Sequence, residues 1–388
     1  MDYLLLAIGL VLLVVGADGL VKGAARLAAS IGIPSLVIGL TVVAFGTSAP
    51  ELAVSIRSAL AGQSEMAIAN VVGSNIFNVL FILGLAAIIT PLAISRQLIR
   101  QDVPLMVLAS MLVFYMIRDG VLSRLDAGIL VVLLLAYTVF LFVQGKRTEA
   151  TERASGANNS VAPSASGAAL SDAASAEQDD EVHALIRGTH PTWQNLLWIV
   201  GGLACLVAGA NLLVNSAVNI ARAFAVSEAV IGLTIVAVGT SLPEVMTSIV
   251  ASIKGQRDIA VGNVVGSNIF NLLAVLGVSG VLSSNGLAGN EQLVQQDFPV
   301  MLAVALLCVP LFFTGAILSR IEGALFFILY LAYTLFLIGG ALHAPWLVSV
   351  QGIIVYALIP LTVVVVIGSL VKDRYDKRQL SKVRDSRC

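Results

Sequence analysis

GLTVVAFGTSAPE at residues 39–51 returns as GLTIVAVGTSLPE at 232–244, and NVVGSNIFN at 70–78 returns unchanged at 263–271. Both returns fall at an offset of 193 residues, so the chain carries one unit twice. Each copy places a carboxylate, Glu51 or Glu244, inside an apolar stretch long enough to cross a bilayer. An ionisable side chain at that depth is a functional group by default, because the solvent there offers it nothing. Two matched carboxylates point to a cation site.

The composition sets the class. With 58% hydrophobic residues, 12% charged and a mean hydropathy of +0.96, the chain is too apolar for a soluble domain of 388 residues. The formal charge of −1 says little about partners; where the charges fall says more. Cys205, Cys308 and Cys388 stand far apart with no CxxC, so neither a disulfide framework nor structural zinc is expected. The apolar run from Tyr3 lacks a preceding basic region and a cleavage site, and reads as a retained first helix.

A membrane-spanning helix needs about 20 mostly apolar residues. Eleven stretches meet that need: 3–28, 34–60, 66–91, 102–117, 124–144, 193–221, 228–253, 259–284, 297–316, 320–340 and 346–371. Residues 145–192 are rich in Ala, Ser, Gly and acidic residues and read as a flexible, solvated linker. The duplication extends beyond the two motifs: RQDVPLM faces QQDFPVM, LSRLDAG faces LSRIEGA, and AYTVFL faces AYTLFL. The expected organisation is a five-helix unit over 1–144, the linker, a second five-helix unit over 193–340, and an extra helix with a basic tail over 341–388. Because five is odd, the second unit enters the membrane in the opposite sense, the inverted-repeat plan of secondary transporters. The fold expected is therefore all-α and polytopic, with 11 spans.

Lys and Arg set the orientation. With the N-terminus outside, 18 of the 22 basic residues face the cytoplasm and only Arg57, Arg118, Arg124 and Arg222 face out. That places the C-terminus in the cytoplasm and the protein in the cell membrane.

The motif helices carry a particular chemistry. Thr47, Glu51 and Ser55 stand at i, i+4 and i+8, with Ser48 three residues before Glu51, so hydroxyls and a carboxylate share one helical face. Thr240, Ser241, Glu244 and Ser248 repeat the pattern, and Asn70, Ser74 and Asn78, matched by Asn263, Ser267 and Asn271, form a second polar stripe. Pro50 and Pro243 cannot donate to the carbonyls of Gly46 and Gly239, which are expected to be freed. Such an all-oxygen set suits hard cations, calcium above all. The absence of His and Cys from both clusters argues against zinc and copper.

GTSAPE with NVVGSNIFN and GTSLPE with NVVGSNIFN resemble the two alpha-repeat signatures of the sodium/calcium exchanger family, in the prokaryotic branch of the calcium:cation antiporters, over about residues 1–340. The resemblance implies alternating access around the second, third, seventh and eighth helices, with the first and sixth sliding as a gating pair. It also implies that Glu51 and Glu244 bind calcium, that Thr47 and Thr240 add backbone carbonyls, and that Ala44 and Ala237 add carbonyls at sodium sites. Ser48, Ser74, Ser241 and Ser267 would supply hydroxyls, and Asn78 and Asn271 the remaining polar groups. The resemblance implies exchange of three sodium ions for one calcium ion, with no cofactor. Calcium, sodium and membrane lipid are then the partners, and nucleic acid is not. Exchangers that co-transport potassium resemble a pattern with Asp at the position of Asn271, so the amide favours a potassium-independent exchanger. The linker has no room for the large calcium-binding regulatory domains of eukaryotic relatives.

Other readings compete. Proton/calcium or other divalent-cation antiport uses the same scaffold. A membrane-embedded hydrolase could use paired carboxylates, but HExxH, GxSxG and a protease-like Asp pair are missing. Without a P-loop an ATP-driven pump is disfavoured, and a channel would not need two exclusive access states. Asp18, opposite Asn211 in the repeat, reads as a helix-end or gating-region group. Asp102 and Asp297, each two residues before Pro, read as helix N-terminal caps or near-cap residues, near helix ends in water.

Overall fold

The apolar runs fold into long helices that satisfy their own backbone groups, as a chain in lipid must. The computed structural model describes residues 2–31, 33–156, 192–224, 237–313, 315–342 and 344–371, with side chains of 145–156, 221, 237 and 341 outside the description. In chain order the helices are α1 (Asp2–Ile31), α2 (Ser35–Thr47 continued by Ala49–Leu60), α3 (Ser64–Ile89), α4 (Leu98–Met116) and α5 (Arg124–Gly156). They continue with α6 (Thr192–Ala223), α7 (Ala237–Gly239 continued by Leu242–Ile253), α8 (Arg257–Leu282), α9 (Leu293–Phe313), α10 (Arg320–Ala341) and α11 (Leu347–Val371).

Among the described residues nine helices are long and apolar enough to cross a membrane, and the bent α2 brings the number to ten. The remaining expected span, 228–253, is described only from Ala237, so the eleven-span expectation rests partly on residues outside the description. Helix α5 continues to Gly156, into the segment read as linker. The rest of that segment to residue 191, and the tail beyond 371, lie outside the described residues. Helices α4 and α9 begin four residues before the expected starts, at Leu98 and Leu293, each through a π-helical turn that ends on Asp102 or Asp297.

Buried fraction separates core from periphery. The apolar windows of α3 and α8 are 72% and 83% buried, while that of α11 is 6% buried. α11 leans on α9 and α10 and leaves an open apolar groove of ≈ 660 Å³ lined by Val300, Leu329, Tyr333 and Leu358. Its counterpart between α4 and α5, ≈ 560 Å³, is lined by Leu105, Leu112, Leu133 and Tyr137.

Contacts between the units are reciprocal. Strand β1 (Leu92–Ala93) pairs antiparallel with β4 (Ile317–Leu318), and β2 (Val121–Leu122) with β3 (Leu287–Ala288), so each unit lends one connection to the other. α1 lies along α6 at backbone contact. A Cβ on Gly16 would sit 2.8 Å from the Gly202 carbonyl oxygen, and one on Gly209 would sit 2.8 Å from that of Gly9. Small residues permit such approach where lipid supplies no hydrophobic drive.

The α2–α3 and α7–α8 connections are matched turns. Gly62 (φ 75°) and Gly255 (φ 71°) hold the left-handed conformation, and the N–H groups of Gln63 and Gln256 return to the carbonyls of Ser58 and Ala251, both at 2.8 Å. This is a glycine helix stop. It sets α2 beside α3 and α7 beside α8, which brings both motifs of each repeat together.

Candidate cation site

Helix α2 breaks at Ser48, bending by 45°. Pro50 stands in the first turn of the second half, where its missing N–H is one the helix would leave unpaired anyway. Glu51 therefore lies in the first turn of a new helix, at the positive end of its dipole, and Glu244 lies likewise in the first turn of Leu242–Ile253. Both glutamates are buried, with 0% and 1% exposure. The Ser48 N–H closes the preceding segment on the Ala44 carbonyl at 3.0 Å, and Pro50 has no N–H to give the Gly46 carbonyl.

Ser48 and Ser241 occupy N-cap positions three residues before the glutamates, the spacing of a local capping box. Neither caps its own helix. Instead Ser48 Oγ donates to Glu244 Oε1 at 2.9 Å, and Ser241 Oγ donates to Glu51 Oε1 at 2.9 Å. Ser241 Oγ also lies 3.3 Å from Ser74 Oγ. The two repeats thus exchange hydroxyls across one site.

Among the described residues, each glutamate's second oxygen, Oε2, is buried and has no hydrogen-bond partner. Asn78 Oδ1, Asn271 Oδ1, Ser267 Oγ and Thr240 Oγ1 are likewise buried and unpaired. Burying a carboxylate without a partner costs several kcal/mol, so such groups are normally paired or coordinate a metal. The residues present are acceptor oxygens, which fits a hard cation as substrate. Among the described residues no group of three or more His, Cys, Asp or Glu side chains is placed to hold a metal.

Helices α3 and α8 flank the glutamates. Asn70 Nδ2 donates to the Glu51 carbonyl at 3.1 Å and to Ser55 Oγ at 2.9 Å; Asn263 Nδ2 donates to the Glu244 carbonyl at 3.5 Å and to Ser248 Oγ at 3.0 Å. These bonds hold each glutamate segment against the next helix. Thr47 Oγ1 donates to Asn263 Oδ1 at 3.0 Å, crossing between repeats. The Ala44 carbonyl accepts the Ser48 N–H at 3.0 Å, and Thr47 Oγ1 lies 3.4 Å from the same oxygen. Ala237 is placed only by its backbone, at the start of its short helix. Asn78 and Asn271 each open a π-helical turn, a local widening frequent at functional sites.

Two residues in the repeated motif were not singled out by sequence reasoning. Asn75 and Asn268 are buried, and their Oδ1 atoms accept from Asn271 Nδ2 at 3.2 Å and Asn78 Nδ2 at 3.0 Å. They lie three residues before Asn78 and Asn271, off the polar stripe; their only signal is that they recur in a verbatim motif.

Asp102 and Asp297 are corrected. They are neither caps nor water-facing, being 1% and 7% exposed with no side-chain cap bond at Asp102. Tyr137 Oη donates to Asp102 Oδ1 at 3.2 Å, and Tyr333 Oη to Asp297 Oδ1 at 2.9 Å. The extra π-helical turn carries each Asp inside the helix, where the facing helix supplies a hydroxyl. Asp18 lies mid-helix in α1, paired with Lys22 at 2.7 Å and with Lys254 at the end of α7.

Comparison with known proteins agrees with this arrangement. The sequence model of the family described as sodium/calcium exchanger protein matches residues 1–143 and 194–339, nearly the whole of both repeats. The chain belongs to the sodium/calcium exchanger family. It is 35% identical over 332 residues to the putative antiporter CaxA of Alkalimonas amylolytica, covering 84% of this chain and 95% of that one. It is 35% identical over 341 residues to the sodium/calcium exchanger MaX1 of Methanosarcina acetivorans, covering 86% and 97%. A solved structure of the sodium-calcium exchanger NCX_Mj superposes with a TM-score of 0.68 at 29% identity, covering 85% of this chain and 96% of that one. As a member of this family the chain is a multi-pass membrane cation antiporter and not an enzyme.

Proposed function

We propose that this antiporter exchanges sodium for calcium by alternating access, with Glu51 and Glu244 as the calcium-binding carboxylates. The observation that carries the reading is the reciprocal Ser48–Glu244 and Ser241–Glu51 pairing, which leaves one oxygen of each glutamate buried and unpaired beside amide and hydroxyl oxygens. Two carboxylates balance one divalent ion. Oxygens of Asn78, Asn271, Ser74, Ser267 and the Thr47 and Thr240 segments complete a set of the size calcium takes.

In this reading the two five-helix units enter the membrane in opposite senses, with the N-terminus outside and the C-terminus in the cytoplasm. Broken helices meeting at the midplane are the usual device of inverted-repeat transporters. The amide at Asn271 supports exchange without potassium.

The deciding experiment is calcium uptake into liposomes holding purified protein under imposed sodium, proton or potassium gradients. Uptake is expected with the sodium gradient alone. Equal uptake on a pH gradient, with none on sodium, would move the assignment to proton/calcium exchange.

A further inference from the structure

We infer that Asn75 and Asn268 are positioning residues which fix the amides of Asn271 and Asn78 so that oxygen, and not NH2, faces the transported ion. The inference rests on the proposed site and extends it to groups outside the ligand set.

An asparagine amide can turn over at little steric cost, exchanging an acceptor for a donor of two hydrogens. At a cation site that exchange reverses the sign of the interaction. Something must therefore hold Asn78 and Asn271 oxygen-inward. Asn271 Nδ2 donates to Asn75 Oδ1 and Asn78 Nδ2 donates to Asn268 Oδ1, which leaves Asn271 Oδ1 and Asn78 Oδ1 as the buried, unpaired atoms.

The holders are themselves held by groups that cannot donate. Asn75 Nδ2 faces the backbone carbonyl of Asn268 at 3.4 Å and the Met301 sulfur at 3.8 Å. Asn268 Nδ2 faces the carbonyl of Asn75 at 3.4 Å and the Met106 sulfur at 3.5 Å. A carbonyl and a thioether accept only, so turning either holder would set oxygen against oxygen and oxygen against sulfur. The polarity of the site thus runs from a fixed backbone carbonyl, through one amide, to the amide at the ion, and each repeat orients the amide of the other.

The test compares calcium dissociation constants of purified full-length protein by titration calorimetry. Asn75→Leu removes the acceptor for Asn271 and is expected to weaken calcium about fivefold to tenfold, the size of one lost buried hydrogen bond. In an Asn271→Asp background the same substitution is expected to cause no loss of affinity, because a carboxylate presents oxygen on either face and the Asn75 oxygen then opposes it instead of accepting from it. Asn268→Leu with and without Asn78→Asp repeats the cycle on the other repeat.

Equal losses in both backgrounds, or failure to fold in both, would make Asn75 a packing residue and overturn the inference. So would unchanged affinity in the single variants, or no calcium binding by the unaltered protein. If the unaltered protein binds calcium but takes it up on a proton gradient alone, the sodium reading fails while the affinity cycle still decides the amide relay.

Discussion

Ser48 Oγ donates to Glu244 Oε1 across the repeat boundary, although Ser48 stands three residues before its own helix's glutamate. A hydrogen bond to a charged group contributes about 1.5–3 kcal/mol. Ser48→Ala should therefore raise the calcium concentration for half-maximal uptake by roughly 10- to 100-fold. Ser241→Ala should do the same through Glu51. Uptake titrations in liposomes read both, and an unchanged half-maximal concentration in either variant would deny the hydroxyl its role.

Glu51→Gln and Glu244→Gln should each abolish calcium transport while the protein inserts normally. The amide keeps the volume and one acceptor but removes the charge that offsets dehydration of a divalent ion. Loss is expected to reach about two orders of magnitude or more, since breaking a buried charge pairing costs about 3–5 kcal/mol. Full sodium-coupled flux in either variant, normalised to protein recovered by size-exclusion chromatography, would sink the paired-carboxylate site.

The glutamates were legible because a carboxylate in an apolar run is conspicuous and the run occurs twice. The crossing of Ser48 to Glu244 was not. Serine three residues before glutamate reads as a box within one helix, and only the bend at Ser48 sends its hydroxyl to the other repeat. Asn75 lies off the i, i+4 face that reveals Asn70, Ser74 and Asn78, so its contact with Asn271 needed the fold. Asp102 misled for a local reason: proline two residues later marks a helix start, whereas the π-helical turn before it buries the carboxylate beside Tyr137. The helical spans followed from hydropathy because lipid leaves the backbone no alternative.

The Asp–tyrosine pairs should govern stability before transport. Asp102→Asn keeps an acceptor for Tyr137 and should leave most uptake intact. Asp102→Leu leaves the tyrosine hydroxyl unpaired in the interior and should destabilise by about 1–3 kcal/mol, seen as a lower Tm in detergent. Asp297→Leu should act alike through Tyr333. Equal Tm values for the Asn and Leu variants would show that the pairing contributes nothing.

Topology follows from an odd number of spans in the proposed orientation. Cys388 should react with an impermeant maleimide in inside-out vesicles and be protected in right-side-out ones. A cysteine replacing the exposed Ser284, between α8 and β3, should behave oppositely. Labelling of both from the same side would mean that an odd number of spans does not separate them.

The Asp18–Lys254 pair ties α1 to the turn after α7, and the repeat offers no counterpart, since the equivalent positions are Asn211 and Ala61. The contact of the first helix of each repeat with the glutamate helices is thus latched at one end only. With Asp18 and Lys254 side chains 34% and 29% exposed, such a pair contributes about 0.2–1 kcal/mol, so Lys254→Ala should shift the balance of conformations by roughly 1.5- to 5-fold. In a background lacking the three native cysteines, a cysteine replacing the buried Ser252, two residues from Lys254, should be alkylated faster by that factor. Raising the salt should narrow the gap, because the partly exposed charges are screened, and Asn211→Ala should leave the rate unchanged. Identical alkylation rates with and without Lys254 at low salt would show that the pair merely decorates the surface and does not hold α1.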